Sequence, residues 1–443
     1  RTALAVHSGR LAALDLRLGM DSGRVGSVFA RTERWRAMSA RLPVVQPPPD
    51  PEAASLLSRL RRTREDLRGS PPGLDADRLR EEASRLERHI RRLDWARTST
   101  EGTLGTRTRP IGYAEALRAA RAQDTTVVSY LPFDGDLYAV VLDPHAGGRL
   151  RRLAPLGAVD EVTGKVRADL EVACLPIVSA LRGAVEASLR RSLDELDRLL
   201  LRPIGPVGRV AVVPTLALAG VPWAMLPSRE GLATTLTKTV TGWARTDEQP
   251  AYRPRVAALA GPDLPMAVQE VREIGKAWPD ATVVEPHACT TGELIRVAAT
   301  HDVVHIAAHG RHNYESPLFS TLRFADGPAF GYEVPGKAIA ASHVVLSACE
   351  VGRVTMRSGD EALGLTSVLL SLGIRTVVAA VARVPDDVAA HTMVEYHRHL
   401  SRGTEVAAAL AAASRDGPLI ARAFMTFGSQ WRAAPPATAP SGQ

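Results

Sequence analysis

The side chains best suited to chemistry in this sequence are a histidine and a cysteine that each end an apolar run. His309 follows the run from Val303 to Ala308, and Cys349 follows the run from Val344 to Ala348. A thiol beside an imidazole forms a nucleophile and its base, because the imidazole takes the thiol proton and later returns it to a leaving amine. The pair therefore predicts nucleophilic catalysis by cysteine.

The two apolar runs indicate how these side chains are brought together. Both contain β-branched residues and are flanked by turn residues and helical stretches, which is typical of parallel strands buried on both faces. Catalytic groups of open α/β sheets gather at the carboxyl ends of such strands. If the two strands are neighbours, His309 and Cys349 emerge at the same edge of the sheet.

The residues around this pair resemble a known peptidase family. The segment H-I-A-A-H-G ends at Gly310, L-S-A-C-E-V-G ends at Gly352, and G-D-E-A-L-G begins at Gly359. In this order they closely resemble the CHAT family of caspase-like cysteine peptidases, which is grouped with caspases, separases, gingipains and legumains. The resemblance covers roughly residues 110 to 430 and is also carried by Val213-Pro214, Val221 to Leu226, Gly261-Pro262, Glu270-Val271, Thr376 to Val378 and Pro385 to Asp387.

The resemblance implies a fold and an activity. The fold class is α/β, a caspase-like three-layer sandwich with a mostly parallel sheet, preceded by an α-helical N-terminal region. The activity is that of a bacterial-type cysteine endopeptidase that cuts protein substrates through the His309–Cys349 dyad, without a cofactor and under the control of a protein partner on the N-terminal helices. The backbone N–H of Gly310 is the predicted oxyanion donor, because a missing side chain lets the substrate approach closely.

Three acidic residues near the cysteine are candidates for substrate binding. Arg-directed relatives place a carboxylate in the pocket for the residue before the cut bond, and Glu350, Asp360 and Glu361 are close enough in sequence to supply one. The alternative is that Asp360 and Glu361 open a helix predicted over Ala362 to Leu372, where negative charge suits the helix dipole. A preference for Arg or Lys before the cut bond is one of these two open interpretations.

Two motifs that suggest other chemistry fit the sequence less well. His305, His309 and His312 would converge on zinc only on a helix, and on a strand about 13 Å separates the first two. The segment from Gly331 to Lys337 has the spacing of a phosphate-binding loop, but Ala338 stands where that motif needs a hydroxyl for magnesium. Neither a metal nor a phosphate site is predicted.

A structural role is the alternative to a catalytic one for each cysteine. A lone cysteine that closes a buried strand is more often an inert core thiol, and Cys174 and Cys289 are interpreted as structural. The alternative function is a catalytically silent CHAT scaffold that binds other proteins. The intact His309 and Cys349 pair favours the enzyme.

Composition limits the classes of function. The 443 residues are enough for two or three domains, and the formal charge is +7. Only four of the 55 basic residues are lysine, which indicates a compositional bias, and nucleic acid is not expected as a partner, although a basic face on the Arg-rich N-terminal helices stays open. Three cysteines are too few for a disulfide framework and favour the cytoplasm, and no apolar run reaches membrane-spanning length, so no membrane partner is expected. Because the chain begins at Arg1, we expect it to be a piece of a longer protein.

The pattern along the chain predicts four regions. Residues 1–110 are helical and include a helical hairpin, and their first helices resemble the end of a tetratricopeptide-like array. The resemblance to the CHAT family implies that residues 111–245 form the N-terminal, catalytically silent half of the CHAT region and that residues 246–432 form the active half. Residues 433–443, rich in Ala, Pro and Ser, are predicted to be disordered.

Overall fold

The structure of the protein is a computed structural model, and it describes the following residues: 2–39, 55, 56, 59, 60, 63, 66, 67, 73–101, 109–173, 179–218, 220–245, 253–311, 320–330, 339–347, 355–357, 361–363 and 365–434. Most of the first helix of the predicted hairpin lies outside these residues, as does the predicted disordered tail from residue 435 onward.

The apolar, β-branched runs of the sequence form strands, and most of their residues are buried. In chain order the strands are β1 Thr126–Phe133, β2 Asp136–Asp143, β3 Gly147–Pro155, β4 Val210–Val213, β5 Thr234–Leu236, β6 Val256–Ala260, β7 Thr282–Val284, β8 Val303–Ala307, β9 Gly310–Arg311, β10 Thr321–Phe324, β11 Gly327–Phe330, β12 His343–Ser347, β13 Thr355–Arg357, β14 Glu361–Leu363, β15 Thr376–Ala380 and β16 Phe424–Gly428.

Eleven of these strands form one central sheet in the order β3-β2-β1-β4-β5-β16-β15-β12-β8-β6-β7. Seven of its ten neighbouring pairs are parallel, so the predicted mostly parallel sheet is confirmed. The antiparallel pairs are the β1–β2–β3 meander and the contact between β15 and β16. Because the strand direction reverses at that contact, the carboxyl ends of β6, β8, β12 and β15 lie at one edge of the sheet and those of β1, β4 and β5 at the opposite edge.

The meander illustrates how local sequence sets strand pairing. Phe133 pairs with Asp136 across a two-residue turn in which Asp134 and Gly135 have φ angles of 46° and 82°. This left-handed turn is the one that the Asp-Gly pair favours, because its twist matches that of the flanking strands. β3, which no sequence pattern predicts, pairs with β2 at the sheet's edge. Its exposed arginines hide the alternating apolar pattern that marks other strands.

Helices connect and cover the strands. In chain order they are α1 Thr2–Asp21, α2 Val25–Ser39, α3 Leu74–Glu101, α4 Tyr113–Ala122, α5 Leu156–Ala173, α6 Ser179–Leu200, α7 Val240–Trp243, α8 Ala267–Ala277, α9 Thr291–Thr300, α10 Leu365–Ser371, α11 Asp386–Ser401 and α12 Val406–Ala413. None of the helices within the described stretches combines the length and the hydropathy that crossing a bilayer requires.

The part of the sheet from β6 to β15 is covered on both faces. Ile306 of β8 shares one apolar layer with Leu294 of α9 and Leu369 of α10. The preceding residue, His305, points to the other face and contacts Glu270 of α8, which packs against α11. The predicted three-layer α/β arrangement is therefore confirmed.

The helix after the proposed nucleophile begins later than predicted. The sequence predicts a helix from Ala362, but residues 361–363 form β14, which pairs antiparallel with β13 through the Arg357–Glu361 and Thr355–Leu363 positions. α10 therefore starts at Leu365. Backbone pairing with a strand four residues upstream overrides the helical propensity of this segment, and Glu361 is not in the first turn of the helix.

The N-terminal helices are joined to the sheet by buried polar contacts. Glu33 of α2 is buried, and its carboxylate accepts hydrogen bonds from the backbone N–H groups of Val240 and Thr241 at 3.1 and 2.7 Å and from the Thr241 hydroxyl at 2.6 Å. Burial raises the pKa of Glu33. Arg36, also buried, donates to the Ser129 hydroxyl at 2.6 Å. α2 is thus attached to the start of α7 and to β1.

One face of α1 is apolar and open to solvent. Leu11, Leu14 and Leu18 lie three and four residues apart, which places them on the same face of the helix, and they are 57%, 61% and 61% exposed. The opposite face packs through Leu16 and Met20 onto the core beneath the meander.

Candidate active site

The candidate site lies where β8 and β12 end. These strands are parallel neighbours, and Ala307 of β8 pairs with Ser347 of β12. The Ala308 N–H continues the ladder by donating to the Ser347 carbonyl at 3.3 Å. His309 follows Ala307 by two residues, as Cys349 follows Ser347 in the sequence. Cys349 itself lies outside the described residues.

His309 is exposed at this edge and is held through one of its two ring nitrogens. Its Nε2 lies 2.8 Å from the backbone carbonyl oxygen of Asp263. A carbonyl only accepts hydrogen bonds, so Nε2 carries the proton and donates it. In the neutral ring Nδ1 then keeps the lone pair. The imidazole therefore presents Nδ1 as its proton acceptor, and no local sequence pattern identifies Asp263 as the residue that orients the ring.

The turn that supplies this carbonyl is tightly packed. Gly261 follows β6, and its N–H donates to the Ala307 carbonyl at 2.7 Å. A Cβ on Gly261 would lie only 2.7 Å from the Cβ of Ala308 and 2.9 Å from the carbonyl oxygen of Arg323, so glycine is required by close approach. Two residues later Asp263 has a φ of 58°, in the left-handed region that Asp tolerates better than most residues.

Arg323 of β10 contacts both sides of this arrangement. Its backbone N–H donates to the His309 carbonyl at 2.9 Å, and its guanidinium lies 2.7 Å from the Asp263 carboxylate. Arg323, Asp263 and His309 therefore form a closed ring of three contacts. Of these three contacts, only the position of Asp263 is indicated by a sequence motif, because Asp263 follows Gly261-Pro262.

Gly310, the predicted oxyanion donor, begins β9. It pairs with Leu322 of β10, while the neighbouring N–H of Arg323 bonds the His309 carbonyl. In an antiparallel ladder this pattern makes Gly310 and Leu322 a non-hydrogen-bonded pair. The Gly310 N–H therefore points away from β10.

The other predicted site residues lie mostly in segments that the structure leaves undescribed. Glu350 and Asp360 are outside the described residues, and of Glu361 only the backbone, in β14, is described. His312 and the segment from Gly331 to Lys337 also lie outside the described residues. Within the described stretches, three or more His, Cys, Asp or Glu side chains do not cluster in a way that could hold a metal ion.

A chain of buried hydrogen bonds runs beneath the candidate site. Trp278 Nε1–H donates to His397 Nδ1 at 3.0 Å, so the Nε2–H of His397 donates to His305 Nδ1 at 3.1 Å. The Nε2–H of His305 then donates to Glu270 Oε1 at 2.8 Å. Both imidazoles must be neutral to serve as acceptors, and burial lowers the pKa of His397 well below its ordinary value. Sequence motifs contained Glu270 and His305 but gave no sign of this chain.

His343 is a third buried histidine on the same face of the sheet. Its Nδ1–H donates to the Thr376 carbonyl at 3.1 Å, and its Nε2 accepts from the Tyr396 hydroxyl at 2.7 Å. The ring stacks on Trp431 with the centroids 5.2 Å apart. Complete burial lowers the pKa of His343 to about 4.

Cys289 is the one cysteine among the described residues, and it is unsuited to nucleophilic catalysis. Its side chain is fully buried, and burial raises the pKa of the thiol to about 12. Because the thiolate is the reactive form, Cys289 is inert at neutral pH. Cys174 lies outside the described residues.

These features define a caspase-like α/β protein, and comparison with known proteins agrees. Two crystal structures of the Saccharomyces cerevisiae separase–securin complex, at 2.6 and 3.0 Å resolution, are similar in fold to this chain. Their TM-scores are 0.52 and 0.55, each at 11% sequence identity, over 92% and 95% of this chain. The chain corresponds to 40% of the length of either separase chain.

Sequence comparison identifies the family. The CHAT domain model matches residues 190–417, just over half of the chain, and the protein belongs to the CHAT domain family. No curated protein sequence is significantly similar to the chain. The match begins inside α6 and includes β8, β12 and the candidate site.

Proposed function

We propose that the protein is a cysteine endopeptidase of the CHAT, caspase-like class, with His309 and Cys349 as its catalytic dyad. Cys349 Sγ gives its proton to His309 Nδ1 and attacks the carbonyl carbon of a peptide bond. The Gly310 N–H stabilises the oxyanion, and the imidazolium returns the proton to the leaving amine. Water, deprotonated by the same imidazole, then releases the acyl group from the sulfur.

The observation that carries the proposal is the register of β8 against β12. Ala307 is paired with Ser347, and each is followed at the second position by one member of the dyad. The hydrogen bond from His309 Nε2–H to a carbonyl supports it as well, because it leaves Nδ1 for a thiol. The direction of the Gly310 N–H, away from β10, favours its role as oxyanion donor.

Site-resolved alkylation with iodoacetamide tests the dyad. Cys349 should be alkylated much faster than Cys289, whose buried thiol is the matched internal control. His309→Ala should reduce the rate at Cys349 because the proton acceptor is lost. Slow alkylation of Cys349 in the wild-type protein, unchanged by His309→Ala, would refute the dyad and favour the alternative of a silent CHAT scaffold.

The preference of the enzyme is proposed to be Arg or Lys before the cut bond, with Glu350, Asp360 and Glu361 as the acidic side chains that bind it. The position of Glu361 in β14, outside the helix, favours this interpretation over a role at the start of the helix. Cleavage of a fluorogenic peptide library by the wild type and by Glu361→Gln tests it. Cleavage only after Asp or after apolar residues would contradict it.

Control by a protein partner is proposed to act through the N-terminal helices. The exposed leucines of α1 support this, because a contiguous apolar face is typical of a binding surface. Peptidase activity that appears only after cell lysate is added, and that Leu14→Ser reduces, would support partner control. Full activity of the purified protein, insensitive to lysate, would contradict it.

A further inference from the structure

We propose that Arg323 is a positioning residue for His309, which it orients by clamping the turn whose carbonyl binds the imidazole. This inference rests on the proposed function and adds to it a residue that neither touches substrate nor belongs to the dyad. It starts from the closed ring of contacts among Arg323, Asp263 and His309.

The turn after β6 is anchored at its two ends by hydrogen bonds that backbone N–H groups donate. At the first end the Gly261 N–H donates to the Ala307 carbonyl at 2.7 Å, and at the second the Met266 N–H donates to Asp386 Oδ2 at 2.9 Å. Asp263 lies between these anchors. Its carbonyl is the hydrogen-bond acceptor for His309, and its position depends on the peptide planes in the middle of the turn.

Arg323 restrains the middle of the turn. The Arg323 side chain is 25% exposed, and its guanidinium lies 2.7 Å from the carboxylate of Asp263, whose side chain is 62% exposed. This charge-assisted contact, made by a largely covered Arg323, holds the Asp263 side chain in place. Because Asp263 adopts a left-handed φ of 58°, loss of the clamp lets its backbone relax toward ordinary values and swings the carbonyl away from Nε2.

The backbone of Arg323 links its side chain directly to the segment that carries His309. Its N–H holds the His309 carbonyl at 2.9 Å, so the guanidinium and the imidazole are fixed to the same short segment. Arg323→Met removes the guanidinium but keeps the backbone bond and most of the apolar stem. The substitution therefore separates the clamp from β10 itself.

The activity test compares Arg323→Met with the wild type on a fluorogenic peptide. A misplaced catalytic group slows the chemical step, so kcat should fall by about 10- to 100-fold while KM changes by less than about twofold. Arg323→Lys should recover part of the loss. Arg296→Met, which removes an exposed pair with Glu293 on α9, is the matched control and should leave kcat unchanged.

A double substitution tests whether Arg323 acts through Asp263. Asp263→Asn keeps a residue that tolerates the left-handed region but removes the charge. If the two side chains act as one clamp, Arg323→Met with Asp263→Asn should be no slower than either single variant. If instead the kcat losses of the two single variants multiply in the double variant, then Arg323 acts independently of Asp263.

A spectroscopic measurement judges the clamp without any activity. In the wild type the Nε2–H of His309, bonded to the carbonyl, should give a resolved imidazole NMR resonance that disappears in His309→Ala. In Arg323→Met it should be lost through exchange with water, and in Arg296→Met it should persist. Absence of the resonance from the wild type, or its persistence in Arg323→Met together with wild-type kcat, would overturn the clamp. Failure of the wild type to cleave peptides and to alkylate at Cys349 would instead refute the proposed peptidase, and the resonance would still decide on Arg323.

Discussion

Acidification should destabilise the fold through His343, and the size of the effect follows from its burial. The ring is neutral in the folded protein because burial lowers its pKa to about 4, whereas in the unfolded chain its pKa is about 6.5. Between these values the unfolded state binds more protons, so the free energy of unfolding falls as the pH falls from about 6.5 to about 4. At about 1.4 kcal/mol per pKa unit, the loss reaches about 3 kcal/mol. Above about pH 6.5 His343 should contribute no pH dependence.

The test replaces the titrating ring and keeps its donor. His343→Asn retains an amide N–H for the Thr376 carbonyl but cannot titrate. Urea unfolding of both proteins from about pH 7.5 to about pH 4 should show that the variant loses about 3 kcal/mol less than the wild type. Tyr396→Phe is the control, because it removes a buried hydrogen bond but keeps the imidazole. It should lower the free energy of unfolding at every pH and retain most of the slope.

The reasoning is refuted if the free energy of unfolding changes equally with pH in His343→Asn and in the wild type. If His343→Asn and the wild type lose the same free energy on acidification, then His343 does not remain neutral in the fold, or the protein opens locally around it. His397, which is also buried and neutral, contributes to both proteins alike, so comparing the two slopes isolates His343.

Three further substitutions should each give a distinct result. Gly261→Ala should lower the free energy of unfolding by about 1–3 kcal/mol and slow alkylation of Cys349, because the new methyl group collides with Ala308 beside the site. Urea unfolding measures the first effect and the alkylation rate the second. If neither changes, the close packing around Gly261 is contradicted. Glu270→Ala should lower the free energy of unfolding by about 1–3 kcal/mol because it leaves the buried N–H of His305 without an acceptor, whereas Glu270→Gln should lower it less. Equal losses of unfolding free energy for the two variants would argue against the hydrogen-bond chain. Glu33→Ala should loosen the attachment of α2 to α7, since three donors lose their acceptor. The expected result is faster proteolysis within α2 while the central sheet stays protected. An unchanged rate of proteolysis would contradict the attachment.

Local sequence was sufficient for many elements. The runs Val303–Ala308 and Val344–Ala348 predict the strands β8 and β12 to within about one residue, because buried parallel strands appear as continuous apolar runs. The Asp134-Gly135 turn also follows from local sequence, because its left-handed φ angles favour those residue types. The placement of His309 directly after a buried strand was visible in the same way.

Long-range pairing was not encoded locally. Nothing in the sequence near β16 signalled that it would run antiparallel to β15 and join the two predicted halves in one sheet, and the division at residue 245 stays a prediction. A short-range pairing is not predicted either: α10 starts at Leu365 and not at Ala362 because residues 361–363 pair as β14 with β13, which helical propensity alone does not indicate.

The sequence by itself determined which side chains are candidates for chemistry and which segments are buried, because residue type and periodicity are local properties. Only the tertiary structure decided what those side chains touch. Asp263 orients His309 from 46 residues away, and His397 bonds His305 from 92 residues away. Such partners meet only when helices and turns pack onto a sheet whose register is already set, and ring nitrogens such as those of the buried His305 and His397 then bond the groups that this packing brings within reach.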